Sequence, residues 1–336
     1  MPKVSFIVAV YNVGQYIQEC VRSLYAQTLD DIEVVLVDDC SPDNSIELAM
    51  QALEDFPARK DQVKVVRHSR NMGLPQARHT GVDAATGDYV MFIDGDDYID
   101  TELGELMYLQ AQKDAADHVF CCYLNFTPTS ERFMSIVRQD SAGNTDKQRD
   151  DVLNRVVVPF LVGKLTRREL FYSHDIIWPT CNMGEDSVLS PQLAYWAKKI
   201  THITQAAYHY RTNPQSLSNG YTADLCVRRR NEFSENIELY FKFLEREGVA
   251  EKYWYGILSN KLRAKNRLLP VVGNWKYRKM WLDTYPEVNK TVFWGDKNFR
   301  ATYHERLWFL IVLFGFYPII EKHRPNHYYV PHGEWI

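Results

Sequence analysis

Residues Val90 to Asp100 read VMFIDGDDYID, an apolar run that ends in the carboxylates of Asp94, Asp96, Asp97 and Asp100. At the end of a strand, side chains two residues apart project to the same side, so Asp94 and Asp96 can act together. Gly95 between them lets a ligand approach the backbone closely. Paired carboxylates with open positions suit a hard divalent ion, Mn2+ or Mg2+, that keeps waters and shares a phosphate. No His or Cys lies within the cluster, so zinc is not expected. The competing explanation is an acidic turn that starts the next helix, the role expected of Asp100 or Thr101.

Two further acidic clusters have the same ambiguity. In VVLVDDCSPDNS, Asp38 and Asp39 end a Val-rich run. A carboxylate there can accept from a base or ribose, or simply favour a helix N-terminus. In NMGEDSVLSPQLAYWA, Glu185 and Asp186 follow Gly184 and precede a helical apolar pattern, which makes them first-turn acids or a general base. The chain has neither GxGxxG after its first strand nor GxxxxGK[ST] anywhere. Without a glycine-amide cradle, a phosphate needs another positive partner, which an ion on DGDD would supply.

The elements that must position these residues alternate. VSFIVAV, IEVVLVDD, VKVVRHS, DYVMFIDGDD and HVFCCYLN read as strands. Between the first four lie helical patterns: GQYIQECVRSLYAQ, SPDNSIELAMQAL with Ser41 as cap and Pro42 in the first turn, and LPQARHTGVDAATG ended by Gly87. A helix from about Thr101 precedes the fifth strand. Such alternation predicts an α/β fold with a mostly parallel sheet, helices on both faces and right-handed crossovers. Ligands of open α/β sheets bind at the carboxyl ends of the strands, and Tyr11-Asn12, Asp38-Ser41 and Asp94-Asp97 all fall at such ends. From about Thr127 to Arg155 the pattern decays into polar residues and reads as a variable or mobile segment. After about Tyr221 it becomes helical, giving expected domains of 1–221 and 222–336.

Hydrophobic residues make up 46% of the 336, which excludes a disordered chain. The opening MPKVSFIVAVYN enters a strand pattern at once, so no signal peptide is expected. The six cysteines form no CxxC pair and read as buried free thiols in a reducing, cytoplasmic compartment. Net charge is −4, but Ala223 to Ile336 holds 19 Lys+Arg against 13 Asp+Glu, whereas the remainder holds 20 against 30. The basic C-terminal part either faces something anionic or is a solvated helical surface. A nucleic-acid partner is not expected.

Taken in order, FIVAVYN, VLVDDCSPDNS, NMGLPQARHTG, YVMFIDGDD and MGEDSVL resemble the motifs of family 2 glycosyltransferases of the GT-A fold. GKLTRREL and YHYRTNPQSLS resemble later landmarks, so the likeness spans roughly Lys3 to Ser218. It implies a nucleotide-diphospho-sugar transferase sheet and inverting transfer of a sugar, a hexose or N-acetylhexosamine, from a nucleoside diphosphate sugar to an acceptor hydroxyl in surface-polysaccharide synthesis. By family habit the donor is a UDP-sugar. On that likeness Asp39 contacts the base, with Val10 and Tyr11 lining its pocket. Asp94, Gly95 and Asp96 hold the donor, and Asp96 and Asp97 the metal. Asp186 is the general base and Glu185 its helper. Arg78, Lys164 and Arg211 contact the diphosphate or acceptor. Ala9, Cys40 and His79 depart from the family pattern without removing a carboxylate. A sugar nucleotidyltransferase would need a Gly-rich, Arg-containing first loop, which VYNVGQYIQ lacks. A nucleotide-sugar binding protein would not need both DGDD and GED.

LWFLIVLFGFYPII, Leu307 to Ile320, is shorter than the roughly 20 apolar residues of a membrane span and is interrupted by Gly315 and Pro318. It reads either as a buried helix or as an interfacial helix docking on the inner leaflet, which the neighbouring RRR and KLRAKNR favour. Docking would favour a lipid-linked or growing glycan as the acceptor.

Overall fold

A computed structural model describes residues 2–127, 130–134, 138–213, 221–294 and 303–323. The first part runs β1 (Val4–Val10), α1 (Ile17–Tyr25), β2 (Ile32–Asp38), α2 (Ser45–Leu53), β3 (Val63–Arg67), α3 (Leu74–Ala84), β4 (Tyr89–Asp94) and β5 (Tyr98–Ile99). It continues through α4 (Leu103–Asp114), β6 (His118–Thr127), β7 (Ser130–Met134), α5 (Thr145–Leu153), β8 (Lys164–Arg167), α6 (Asp186–Trp196) and β9 (Ile200–Arg211). The remainder is helical: α7 (Ala223–Arg246), α8 (Trp254–Asn266), α9 (Trp275–Asp283), α10 (Pro286–Trp294), α11 (Tyr303–Leu313) and α12 (Tyr317–His323).

Among the described residues these strands form one sheet in the order β3-β2-β1-β4-β8-β6-β9-β5, with β7 beside β6. The β3-β2-β1-β4 half is parallel, as the alternating pattern predicts. The other half is mixed: β8 runs antiparallel to both β4 and β6, and β5 antiparallel to β9. The register fixes what matters for the site. Val10 pairs with Asp38 and Ala9 with Asp94, so the carboxyl ends of β1, β2 and β4 lie side by side. Buried Val, Ile, Leu and Phe side chains of β1, β2 and β4 form the core beneath them. That burial is the main source of stability, at about 25 cal/mol per Å² of apolar surface.

Several local expectations change. Helix α2 begins at Ser45 rather than directly after Ser41; its N-cap is Asn44, whose side chain makes no capping bond, and Asp43 Oδ1 accepts from Ser45 N–H at 3.2 Å. Helix α3 ends at Ala84, before Gly87. The stretch read as variable or mobile contains β7 and α5, and the apolar buried residues of α5 are Val152 and Leu153. The landmark residues Ser216 and Ser218 lie outside the described residues.

Contacts divide the chain into two units, Met1–Leu153 with Val157–Asn213, and Asn154–Val156 with Pro214–Ile336. The second unit packs Cys226, Leu268, Leu269, Val272, Trp281, Val312 and Tyr317 into one core cluster, and Leu258, Leu262, Val288 and Val292 into another. The Leu307–Ile320 run is two helices, α11 and α12, broken at Gly315, whose φ is +77°. Among the described residues no helix is long and apolar enough to cross a membrane.

Candidate active site

At the end of β1, Val10 is buried and Tyr11 is 48% exposed. The following loop is clamped by the β2–α2 loop. Asn12 N–H donates to Ser41 Oγ at 2.8 Å, Val13 N–H to Ser45 Oγ at 3.1 Å and Gly14 N–H to Asp43 Oδ2 at 2.8 Å. The SPDNS residues thus satisfy backbone donors of the neighbouring loop, a tertiary duty that a local capping rule does not foresee.

Asp39 is buried. Its Oδ1 contacts His68 Nδ1 and accepts from Met72 N–H, both at 2.7 Å; its Oδ2 accepts from Gly73 N–H at 2.9 Å. It therefore fastens the turn that leads into α3. A carboxylate offers about four lone-pair sites, so one remains for a further donor such as a base N–H. Asp38 is separately engaged by Ser41 N–H and Arg67.

The DGDD cluster divides into open and committed carboxylates. Both oxygens of Asp97 face β9: Oδ2 accepts from Tyr208 O–H and Oδ1 from Arg211 N–H, each at 2.7 Å. Burial and repulsion from Asp94 and Asp96 push Asp97 well above the usual carboxylate range. Asp97, expected to hold the metal with Asp96, here anchors the loop to β9 through both oxygens. Asp100 likewise accepts from Ala207 N–H at 2.8 Å and pairs with His209 at 2.7 Å, and α4 starts only at Leu103, so its side chain ties the loop to β9 rather than capping the helix. Asp94 and Asp96 are only half-buried. Asp96 Oδ2 accepts from Asn213 Nδ2 at 2.8 Å, and Asp94 Oδ1 pairs with Arg78 Nη2 at 2.9 Å. Each keeps its second oxygen outside these bonds. Gly95 has a packing reason besides ligand approach, since a Cβ there would meet Val13 Cγ2 at 3.0 Å.

Among the described residues no three His, Cys, Asp or Glu side chains form a ready metal cage. The donor set nevertheless fits an ion that brings other ligands. Burial and repulsion from Asp94 raise Asp96, a mark of two neighbouring negative groups with too little compensation. Two oxygen donors completed by phosphate and water match the habit of Mg2+ and Mn2+.

Gly184, at φ +83°, makes the turn into α6, and Glu185 and Asp186 open that helix. Arg78, reaching from α3, joins this motif to DGDD. Its guanidinium is buried and lies 2.9 Å from Glu185 Oε1, 2.9 Å from Asp94 Oδ1 and 3.5 Å from Asp186 Oδ1. The residue expected to contact the diphosphate or acceptor thus lies among these three carboxylates. Glu185 is buried against Arg78, whereas the Asp186 side chain is 27% exposed. Asp186 Oδ1 also accepts from Leu161 N–H at 3.2 Å, which fixes its orientation. Burial, partly offset by Arg78, raises Asp186, while burial and repulsion from Asp186 raise Glu185.

Lys164, also expected to contact the diphosphate or acceptor, lies under α6. It is buried, donates to Ser190 Oγ at 2.8 Å and lies 4.8 Å from the Phe120 ring centroid. Burial pushes it down to about 7, against the attraction of Asp186. Ser190 stands four residues beyond Asp186, on the same face of α6, so Lys164 supports that helix from below. Arg211 braces the DGDD loop: its Nε donates to Asp96 O at 2.7 Å, it pairs with Glu19, and it stacks on Tyr16 and Phe126. Tyr208 and Asn213 hold Asp97 and Asp96, yet only the YHYRTN landmark hinted at them.

Comparison with known proteins bears on the family and the fold. The model of glycosyl transferase family 2 matches residues 5–190. The chain is 34% identical over 225 residues to the "Uncharacterized glycosyltransferase EpsJ" of Bacillus subtilis (strain 168), covering 65% of this chain and 63% of that protein's length. It is 31% identical over 263 residues to "Putative glycosyltransferase EpsH" of the same organism, covering 75% and 72%. Of solved structures, S. aureus TarS 1-349 in complex with UDP-GlcNAc superposes with a TM-score of 0.57 at 20% identity, over 86% of this chain and 91% of that one. The mannosyltransferase PcManGT from Pyrobaculum calidifontis, in complex with GDP-Man and Mn2+, does so with 0.52 at 16% identity, over 96% and 87%. At these identities the two structures speak to the fold, and the family model together with the EpsH likeness settles membership: the chain belongs to glycosyl transferase family 2 and is a glycosyltransferase of the GT-A fold.

Proposed function

We propose that this protein moves a sugar, with inversion, from a nucleoside diphosphate sugar to a hydroxyl of a glycan or lipid-linked glycan in surface-polysaccharide synthesis. The observation that carries the reading is the buried Arg78, which holds the DGDD carboxylate Asp94 and the GED carboxylates at one place while leaving Asp186 the more exposed. In this reading Asp186 takes the proton of the acceptor hydroxyl as its oxygen bonds to the anomeric carbon, and the bond from that carbon to the diphosphate breaks. Glu185 acts through Arg78 and does not touch the acceptor. Asp39, Val10 and Tyr11 form the base pocket, and Asp94 and Asp96 hold the ribose and diphosphate side of the donor. Mn2+ or Mg2+ held by Asp94 and Asp96 would neutralise the charge of the departing diphosphate.

UDP is the nucleotide favoured, supported by the UDP-GlcNAc bound to TarS. The catalytic domain is taken as 1–221 and the helical extension as 222–336. The extension docks peripherally on the inner face of the cell membrane through the α11–α12 corner. Phe314, Phe316, Ile319 and Trp275 are exposed there, and Tyr317 anchors the corner in the core. A Cβ at Gly273 would meet Pro318 and one at Gly315 would meet Arg278, so the start of α9 and the corner are neighbours.

A screen of radiolabelled nucleotide sugars with Mn2+, followed by NMR of the product's anomeric centre, tests the reaction. Transfer with inverted configuration is expected; retained configuration would refute a single displacement. Docking is tested with vesicles containing phosphatidylglycerol: Phe314→Ser with Phe316→Ser should release the protein, and unchanged co-sedimentation removes the corner from the account.

A further inference from the structure

Strands β2 and β3 run parallel with Asp38 opposite Arg67, and His68 N–H donates to Asp38 O at 2.9 Å. The residues that follow these paired ends, Asp39 and His68, therefore leave the sheet side by side. Arg67 pairs with Asp38, and His68 is the side chain that reaches Asp39. Its Nδ1 lies 2.7 Å from Asp39 Oδ1, with the two side chains only 12% and 4% exposed. Its Nε2 lies 3.0 Å from Thr80 Oγ1 of α3, the helix that also carries Arg78. A ring engaged through both nitrogens, between a strand end and a helix, is held in one orientation.

The hydrogens of this network can be assigned from its partners. Asp39 Oδ1 accepts from Met72 N–H and Oδ2 from Gly73 N–H. Both oxygens act as acceptors, so Nδ1 of His68 carries a hydrogen and donates to Oδ1. In the neutral ring Nε2 then accepts from the Thr80 hydroxyl, which fixes the tautomer. Oδ1 thus receives two donors and Oδ2 one. Each carboxylate oxygen offers two lone pairs, so the open acceptor position lies on Oδ2. The terminal torsion of an Asp side chain is soft, and a third donor keeps Oδ1 closed to water or to a misplaced ligand.

We propose that His68 is a positioning residue for nucleotide recognition: its Nδ1–H closes Asp39 Oδ1 and so directs an N–H of the donor's nucleobase to Oδ2. The inference rests on the reading of Asp39 as the base contact. His68 takes no part in sugar transfer, so losing its N–H weakens donor binding and leaves the chemical step as it was.

Two amide variants separate the two ring nitrogens. His68→Asn can place an amide N–H where Nδ1 stands, whereas His68→Gln reaches the Nε2 position and leaves Oδ1 open. In calorimetry of the full chain with UDP and Mn2+, His68→Asn should bind within about threefold of wild type and His68→Gln about tenfold more weakly. The donor KM should rise by the same factor in His68→Gln with kcat unchanged. Affinities that do not separate in this order, or a fall in kcat, overturn the inference. Asp39→Asn tests the reading beneath it. Weaker UDP binding in that variant keeps Asp39 in the base pocket even where the His68 variants behave alike; unchanged binding removes Asp39 and the inference with it. Should His68→Gln fail to fold, the imidazole 15N spectrum of the wild type decides, with the His68 signals identified by their loss in His68→Asn. A hydrogen on Nδ1 is expected, and a bare Nδ1 overturns the donation to Asp39.

Discussion

Replacing Arg78 with Met removes a buried cation shared by Asp94, Glu185 and Asp186. Breaking a buried pair by deleting one partner destabilises by about 3–5 kcal/mol, because the remaining charge stays uncompensated. For a unit of this size that corresponds to a fall in Tm on the order of 10 °C. The deficit should depend on pH. Glu185 and Asp186 already sit above their ordinary values because of burial, and losing the guanidinium raises them further. A carboxylate whose folded pKa lies above its unfolded value contributes stability that is present at low pH and is lost as pH rises through the folded pKa. Protons can therefore replace the missing cation in acid but not in base. Differential scanning calorimetry of wild type and Arg78→Met should give the larger deficit above about pH 8, where Glu185 ionises, and less than half of it near about pH 5. A deficit under about 3 °C near neutrality, or one equal at both pH values, would refute the view that Arg78 compensates these carboxylates.

Other consequences follow from the same geometry. Asp96→Asn should abolish the Mn2+-dependent part of UDP affinity, measured by calorimetry with and without EDTA; equal metal dependence in the variant removes Asp96 from the ion site. Lys164→Met should change stability by less than about 1.5 kcal/mol, because an apolar chain of similar volume replaces a buried polar one. It should also move the acid limb of kcat/KM to higher pH, since the charged ammonium favours ionised Asp186; a limb that stays or moves down contradicts the support from below. Gly184→Ala places a side chain at φ +83°, which costs about 1–2 kcal/mol and should lower kcat by misdirecting α6; unchanged Tm and kcat would show that the turn tolerates a Cβ.

The carboxylates were legible because their duties are local: each stands at a strand end or in a helix's first turn, and strand alternation alone brings the ends of β1, β2 and β4 together. The neighbours of the cations were not legible because they are not local. Arg78 meets partners 16 and 107 positions away, and a basic residue near acidic motifs looks the same in sequence whether it faces a diphosphate or buttresses the carboxylates. The surroundings of Lys164 and Arg211 were hidden in the same way, one buried under α6 and the other laced into the DGDD loop. Asp97 and Asp100 are commonplace acids by pattern, and only the pairing of β5 with β9 reveals that β9 receives both. The mixed half of the sheet was equally hidden, because β8 is four residues long and no helical crossover announces its direction.

The central claim is that Asp186 is the base and that donor binding is a separate function of Asp39, Asp94 and Asp96. Asp186→Asn keeps the shape, and its amide oxygen can still accept from Leu161 N–H, while the ability to take a proton is gone. Calorimetric UDP affinity with Mn2+ should be unchanged, and turnover with the preferred donor should fall by about 10²–10⁴-fold. Turnover within about tenfold of wild type, with UDP affinity intact, would contradict the assignment of the proton to Asp186.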